Sequence, residues 1–329
     1  MNKRERVMAA LEGRPVDRPP FALWRHFYAQ DRTAQGLARA TVNFYRHCNA
    51  DLIVMMPGPF YMAEAWGMDI RVLGSDEIAP YIVSATVDRA TGWRQFPELD
   101  VAGSSLQREI EAVRMVRAML NDQDAPLIFP LYSPLTTANQ LCAGRVIEDL
   151  RSFSSDLRSG LSHITEATIA LGRACLSVGA DGIMLINSLG SRDQLRPREY
   201  RDFSLEFDRQ VIQALSAQAG IRILSMPGEN LFFDQIGQYD VQAINWATWR
   251  SAPSLSGARH QLRCCLMGGL NEQTFSNGSR RDIQSQIADA IEQTAGLQLI
   301  IAPAGPLPPD SHDELVAAVD HVIAELGGR

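Results

Sequence analysis

The chain has 329 residues, with 31 lysines and arginines against 38 aspartates and glutamates, and a formal net charge of −7. A hydrophobic content of 46% is that of a globular protein and excludes wholesale disorder. The negative charge and the scattered arginines argue against nucleic-acid binding, because a nucleic-acid-binding protein must neutralise phosphates.

Apolar runs of strand length recur along the chain, and the segments between them have helical patterns. Most runs are continuous rather than alternating, as expected for parallel strands that are buried on both faces. The predicted strands are residues 20–26, 51–57, 126–133, 181–188, 221–228, 243–247, 263–270 and 297–305. The predicted helices include residues 34–48, 146–177, 197–218 and 281–295.

Eight strands with intervening helices predict an α/β fold, a single (β/α)8 TIM barrel that occupies residues 1–329 as one domain. An open, doubly wound sheet is the alternative. It would normally show a glycine-rich phosphate turn after an early strand, and the sequence contains neither GxGxxG nor GxxxxGK[ST].

Residues 69–97 interrupt the alternation of strands and helices. This segment holds three short extended pieces, at 71–73, 81–86 and 93–96, which are separated by Gly74, Pro80 and Gly92. It is predicted to be a β-hairpin insertion after the second strand, beside the mouth of the barrel.

The sequence also favours one cellular compartment. No stretch approaches the roughly 20 consecutive apolar residues of a membrane span, and the charged first residues lead into an amphipathic helix rather than a signal peptide. The five cysteines lack CxxC spacing, which disfavours a disulfide framework. We expect a cytoplasmic protein without membrane contact.

The first predicted strand ends in Arg25 and His26, and the carboxyl ends of barrel strands face the ligand. A guanidinium grips a carboxylate with two parallel hydrogen bonds, so Arg25 is predicted to bind an anion; the alternative is pairing with an acid of a nearby loop. His26 is predicted to donate or accept a proton near neutral pH, the alternative being a structural role among aromatic neighbours.

Glu229 follows a Pro-Gly turn after the fifth predicted strand. Its carboxylate is predicted to act as a general base or to bind a cation. The alternative is favourable contact with the N-terminus of a helix predicted over residues 230–237. The candidate catalytic residues are therefore Arg25, His26 and Glu229.

Other polar and aromatic side chains at the strand ends are predicted to orient the substrate. An amide offers both a donor and an acceptor, although asparagine is also common in turns. The predicted substrate-binding residues are Tyr132, Asn187, Ser188, Asn245, Trp246 and Asn271. Because the set carries few charges, the predicted ligand is a small polar or carboxylate-bearing molecule.

No residue pattern predicts a metal site. A zinc site that activates a thiol needs histidine and cysteine ligands, whereas the fifth and eighth strand ends carry Ser225, Pro227 and Gly305. Cys264 and Cys265 are adjacent within a strand, where neighbouring side chains point to opposite faces. We expect neither a metal nor a tightly bound cofactor.

Several segments resemble the uroporphyrinogen decarboxylase family. They are RERVMAALEGRPVDRPP at 4–20 with LWR at 23–25, AEAWGMD at 63–69, INW at 244–246, GGLN at 268–271, and the prolines of 302–309. The resemblance implies a (β/α)8 barrel. It also implies one of two activities: cofactor-free decarboxylation of porphyrinogen acetate groups, or methyl transfer between corrinoid proteins and thiols or related molecules.

The residues of the family's decarboxylase site match this sequence only in part. Arg25 matches the first arginine of the family's RQAGR motif, whereas the second falls on Ala29. The aspartate that contacts the pyrrole NH groups falls on Gly58, the tyrosine of the third βα loop on Gln140, and the late histidine on Gly305. These differences argue against uroporphyrinogen itself as the substrate.

The zinc ligands of the family's thiol methyltransferases are also replaced. The His-x-Cys pair falls on Ser225 and Pro227, and the late cysteine falls on Gly305. Since those members use a zinc-bound thiolate as the nucleophile, the resemblance argues against coenzyme M or homocysteine as the acceptor.

Three functions remain open at this point. The first, which we favour, is a zinc-independent methyltransferase-type enzyme for a small polar or carboxylate substrate, with a corrinoid held by a partner protein. The second is a decarboxylase or lyase of a small carboxylate. The third is a non-catalytic partner subunit or binding protein, with Trp24, Met226, Trp246 and Trp249 filling the mouth. The resemblance also implies a homodimer.

Overall fold

The computed structural model describes residues 1–121 and 125–327. Its nine strands are β1 (Ile53–Val54), β2 (Asp69–Arg71), β3 (Tyr81–Ser84), β4 (Leu127–Tyr132), β5 (Gly182–Ile186), β6 (Ile221–Met226), β7 (Ala243–Trp246), β8 (Cys265–Gly269) and β9 (Leu299–Ala302). Seven of them form one parallel sheet in the order β1-β4-β5-β6-β7-β8-β9. Each of these seven lies within one of the predicted strands from the second to the eighth.

The first predicted strand, residues 20–26, forms no strand but a single bridge at Phe21. The Phe21 carbonyl accepts hydrogen bonds from the backbone N–H groups of Asp51 and Leu52, and Ala22 N donates to Ile301 O at 3.0 Å. Pro19 and Pro20 have no N–H to donate on the amino side of this bridge, and on its carboxyl side Trp24 O accepts from Leu307 N in the loop after β9. The segment nevertheless joins the two outer strands of the curled sheet, as in a TIM-like barrel.

The segment after β1 contains a separate two-stranded sheet. Strands β2 and β3 pair antiparallel, with Ile70 opposite Ile82 and an irregular register beside Asp69. The third extended piece predicted here, at 93–96, is wrong, because Ala90–Gln95 is a 3-10 helix. Trp93 lies in this 3-10 helix. It is fully buried, and its Nε1 donates to Asp149 Oδ2 at 2.7 Å.

Helices lie between the strands of the sheet. They are α1 (Lys3–Leu11), α2 (Ala34–Cys48), α3 (Tyr61–Ala65), α4 (Gln107–Met119), α5 (Pro134–Leu141), α6 (Val146–Ser152), α7 (Ser154–Ser177), α8 (Pro197–Tyr200), α9 (Glu206–Leu215), α10 (Leu255–Arg259), α11 (Thr274–Asn277), α12 (Arg280–Thr294) and α13 (Asp313–Gly327). A π-helix, Arg201–Leu205, joins α8 to α9. The helix predicted over 146–177 is divided at Phe153 into α6 and α7.

Two hydrophobic clusters fill the protein. Side chains that point into the curled sheet form the inner one, for example Met184, Ile223 and Met267. Helix α1 adds apolar side chains to this cluster, and its Arg4 forms an ion pair at 2.7 Å with Asp181, just before β5. Because α1 covers the amino ends of the strands, the carboxyl ends are left for the candidate site.

The structure also describes the cysteines and the lengths of the helices. All five cysteines are free thiols. Across the described ranges, no helix is both long and apolar enough to cross a membrane.

Candidate functional site

Arg25 lies between the end of the first segment and the loop after β9. Its Nη2 donates to Pro309 O at 2.9 Å, and its guanidinium lies 5.6 Å from the ring centroid of Phe27. Its Nε is buried without a hydrogen-bond partner. No carboxylate of the described residues forms an ion pair with Arg25, so the alternative of a rim arginine paired with a loop acid is not what the structure shows.

His26 is buried beside the turn that follows β1. Its Nδ1 lies 3.0 Å from Pro57 O, and its ring stacks on Tyr28 at a centroid distance of 5.3 Å. Burial lowers the pKa of His26 to about 4, although the bond to Pro57 acts in the opposite direction. Because a carbonyl oxygen only accepts, Nδ1 carries the proton, and the neutral ring offers Nε2 as an acceptor.

Asp31, which the sequence analysis missed, lies in the turn after this histidine. The residue is 2% exposed, and its Oδ2 is buried without a hydrogen-bond partner. Burial raises the pKa of Asp31 to about 7, against the opposing charges of Arg32 and Arg108. Its charge also raises the pKa of Tyr28, where burial is the larger cause. Asp31 is therefore a neighbour of the His26–Tyr28 stack.

Tyr132 ends β4, with its side chain against the inner cluster. Its ring lies 5.8 Å from that of Tyr61, and burial together with the neighbouring Tyr28 raises the pKa of its phenol. Its hydroxyl makes no hydrogen bond to any described residue. The phenol is thus protonated, lies near Tyr28, and can donate a hydrogen bond.

Asn187 belongs to a buried polar network outside the barrel interior. Its Nδ2 donates to Ser204 Oγ at 2.7 Å and to Asp208 Oδ2 at 2.8 Å, and its Oδ1 accepts from Leu189 N. Tyr239 also donates to Asp208, whose pKa burial raises to about 7. The Asn187 amide therefore has protein partners for both its nitrogen and its oxygen, and its predicted contact with a substrate stays a prediction.

The amide of Asn245 is likewise satisfied by the protein. Its Nδ2 donates to the carbonyls of Met267 and Pro303, at 3.1 and 2.8 Å, and its Oδ1 accepts from Ser225. Trp246 packs among the outer cluster and donates from Nε1 to Pro253 O at 3.0 Å. Neither side chain is exposed, and the substrate contacts predicted for both stay predictions.

The remaining candidates lie on the rim with protein partners. The Ser188 hydroxyl donates to Thr136 Oγ1 at 3.2 Å, and Asn271 Oδ1 accepts from Gln273 N at 3.0 Å. Glu229 has a side chain that is 60% exposed and lies 3.9 Å from Arg250. The helix predicted at 230–237 is a 3-10 helix over Phe233–Gln238, so its N-terminus does not meet Glu229.

The residues present do not fit a zinc site of the type implied by the resemblance. Ser225 donates its hydroxyl to Asn245, Pro227 has no donor atom, and Gly305 has no side chain. In the ranges that the structure describes, no group of three or more His, Cys, Asp and Glu side chains is arranged to hold a metal ion.

The structure therefore brings Arg25, His26 and Tyr132 together with two residues that sequence reasoning missed, Tyr28 and Asp31. Both lie in the turn after Arg25, where Asp31 N donates to Phe27 O at 2.8 Å. The one signal in the sequence was an acid within a short strand-to-helix loop, which on its own is too common to identify a site.

The curled parallel sheet of seven strands is consistent with a TIM-like barrel. The family model for uroporphyrinogen decarboxylase (URO-D) matches residues 2–326, so the chain belongs to this family.

Relatives with two different names are similar to this chain. The uroporphyrinogen decarboxylase of Flavobacterium johnsoniae is 25% identical over 297 residues, 80% of this chain and 82% of the relative. The methylcobamide:CoM methyltransferase of Methanosarcina barkeri is 24% identical over 217 residues, 61% and 62% of the two chains. The structure of a methyltransferase from Methanosarcina mazei superposes with a TM-score of 0.80 at 19% identity, covering 99% of each chain, which supports the fold.

Proposed function

We propose that this chain is a zinc-independent methyltransferase-type enzyme that acts on a small methylated carboxylate and works with a corrinoid-carrying partner protein. The observation that carries the proposal is Arg25, a guanidinium with a buried, unpartnered Nε and no acid beside it. A buried guanidinium nitrogen without an acceptor is costly, and a substrate carboxylate would supply both an acceptor and a counter-charge. The Methanosarcina barkeri relative supports methyl transfer as the reaction class.

The residues around Arg25 give the substrate an orientation. Arg25 would hold the carboxylate while Tyr132 donates its hydroxyl proton and His26 Nε2 accepts a hydrogen bond. Trp24 and Met56 form a dry, apolar floor beneath them, since both are buried in the inner cluster. Such a site favours reaction by positioning and by excluding water.

The chemistry assigns distinct tasks to the two proteins. A reduced corrinoid on the partner supplies the nucleophile that takes the methyl group. This chain fixes the substrate so that the bond from the methyl carbon to its oxygen breaks with the electron pair left on oxygen. That oxygen then requires a proton, because an alkoxide is a poor leaving group.

A second candidate function follows from the buried acids. Burial raises the pKa of both Asp31 and Glu109 to about 7, so this half of the rim holds acidic protons near neutral pH. A decarboxylase or lyase of a small carboxylate needs an anchor for the acid and a proton for the carbanion that remains. Arg25 and one of these carboxyls would meet both needs.

One assay distinguishes the candidates. The protein is incubated without oxygen with free cob(I)alamin and a panel of methoxy carboxylates, while Co(I) absorbance and CO2 release are followed. We expect protein-dependent loss of Co(I) without release of CO2. Release of CO2 without methyl transfer would replace the proposal by the lyase, and the absence of both reactions would overturn it in favour of a non-catalytic role.

A further inference from the structure

We propose that Asp31 is a catalytic residue, the acid that protonates the leaving oxygen of the substrate in this site. The inference rests on the function proposed above. It assigns the proton donor to a residue that lies beyond the strand ends and was not among the candidates from the sequence.

The turn that carries Asp31 is held firmly. Ala29 N and Gln30 Nε2 donate to the two carboxylate oxygens of Asp76, at 2.8 and 2.9 Å, and Asp31 N donates to Phe27 O. These bonds hold the turn that leads into Asp31. Its carboxyl is therefore buried in one position and gains no hydrogen bond to Oδ2 there.

The carboxyl faces a residue without a side chain. A Cβ built on Gly58 would lie 3.1 Å from Asp31 Oδ2, 3.5 Å from Cγ and 3.7 Å from Oδ1. Gly58 follows Pro57, whose carbonyl accepts from His26. The absence of a side chain at Gly58 thus lets the Asp31 carboxyl pack against this backbone, beside the imidazole.

The ion pairs around Asp31 do not include its carboxyl. Arg32 binds both oxygens of Glu64, at 2.6 and 3.1 Å, and Arg108 binds Glu109 at 2.7 Å and Glu64 at 3.4 Å. Two arginines therefore face three acids, and Asp31 is the acid without an ion pair. Burial is the main cause that raises its pKa to about 7, and the charges of Glu64 and Glu109 act in the same direction.

In the proposed step the proton, the electron pair and the methyl group each have a destination. As the bond between the methyl carbon and oxygen breaks, its electron pair stays on oxygen, and the proton of Asp31 moves to that oxygen. The methyl group passes to the Co(I) nucleophile of the partner's corrinoid. Asp31 is left as a carboxylate near Arg32 and Arg108, and water returns its proton after the alcohol leaves.

The test compares a substrate that needs the acid with one that does not. A methoxy carboxylate must gain a proton as it leaves, whereas a dimethylsulfonio carboxylate of the same chain length leaves as a neutral thioether. With free cob(I)alamin as acceptor, Asp31→Asn is expected to lower kcat for the methoxy substrate by about 100-fold or more and to change the sulfonium reaction less than 5-fold.

A second variant tests access to the acid without removing it. Gly58→Ala would place a methyl group over the carboxyl, so it should lower kcat for the methoxy substrate while the sulfonium reaction persists. Gly237→Ala is the matched control, because a Cβ there meets no atom within 4 Å. Equal losses with both substrates, or full methoxy activity in Asp31→Asn, would overturn the role of Asp31 alone. An inactive wild-type protein would instead overturn the proposed function.

Discussion

Two sets of residues on the barrel rim differ in whether their polar atoms are satisfied within the protein. In the first half of the rim, Arg25 and Asp31 keep buried polar atoms without a hydrogen-bond partner. In the second half, the amides of Asn187 and Asn245 bind only protein groups, although one oxygen of the neighbouring Asp208 is also buried without a partner. Position at a strand end does not separate the two sets, whereas hydrogen bonding of the side chain does.

The difference has an energetic meaning. A satisfied amide in the interior stabilises the fold, and its removal leaves its partners unpaired. A buried guanidinium nitrogen or carboxyl oxygen without a partner reduces stability, a cost that functional sites commonly carry. We therefore propose that the half of the rim with Arg25 and Asp31 is the functional half, and we call the half with Asn187 and Asn245 the structural half.

The largest expected effect is in the structural half. Asn245→Ala leaves the carbonyls of Met267 and Pro303 and the hydroxyl of Ser225 without their partner, so the free energy of unfolding should fall by about 3 kcal/mol. Urea unfolding measures this change. Asn271→Ala, on the same half but less buried, is the control and should lose less than about 1 kcal/mol. Equal losses would show that the buried amide is not structural.

A smaller effect concerns pH in the functional half. Asp31 binds its proton more tightly in the folded protein, where its pKa is about 7, than in the unfolded chain, where it is about 4. The wild type should therefore lose stability relative to Asp31→Asn as the pH rises from 4 to 7, and the difference should stay constant above that range.

Urea unfolding of both proteins at pH 5 and pH 8 measures this difference. Gly237→Ala, which removes no titratable group, should track the wild type at both values. A difference between wild type and Asp31→Asn that is the same at both pH values would contradict a buried, protonated Asp31.

Much of the fold could be predicted from the sequence, because continuous apolar runs identify buried parallel strands directly. The first strand was overestimated, since Phe21 pairs on both sides but Trp24 O bonds to Leu307 in a loop. The π-helix at Arg201–Leu205 was not predicted either, and it lies within the helix predicted over 197–218.

The site was predictable only where it follows strand ends. Arg25, His26 and Tyr132 became candidates in that way. The role of Asp31 depends on its distance to Gly58, and that of Asn245 on carbonyls that lie 22 and 58 positions away. Contacts between residues so far apart in the chain leave no local pattern to read.

The most direct test of the functional half is the affinity of Arg25 for a carboxylate. Binding of a methoxy carboxylate is measured by calorimetry for wild type, Arg25→Lys and Arg250→Lys, the last being a control from the other half of the rim. Lysine keeps the charge but loses the planar fork, so Arg25→Lys should raise Kd more than about 10-fold and Arg250→Lys less than about 2-fold. An unchanged Kd in Arg25→Lys would contradict the account.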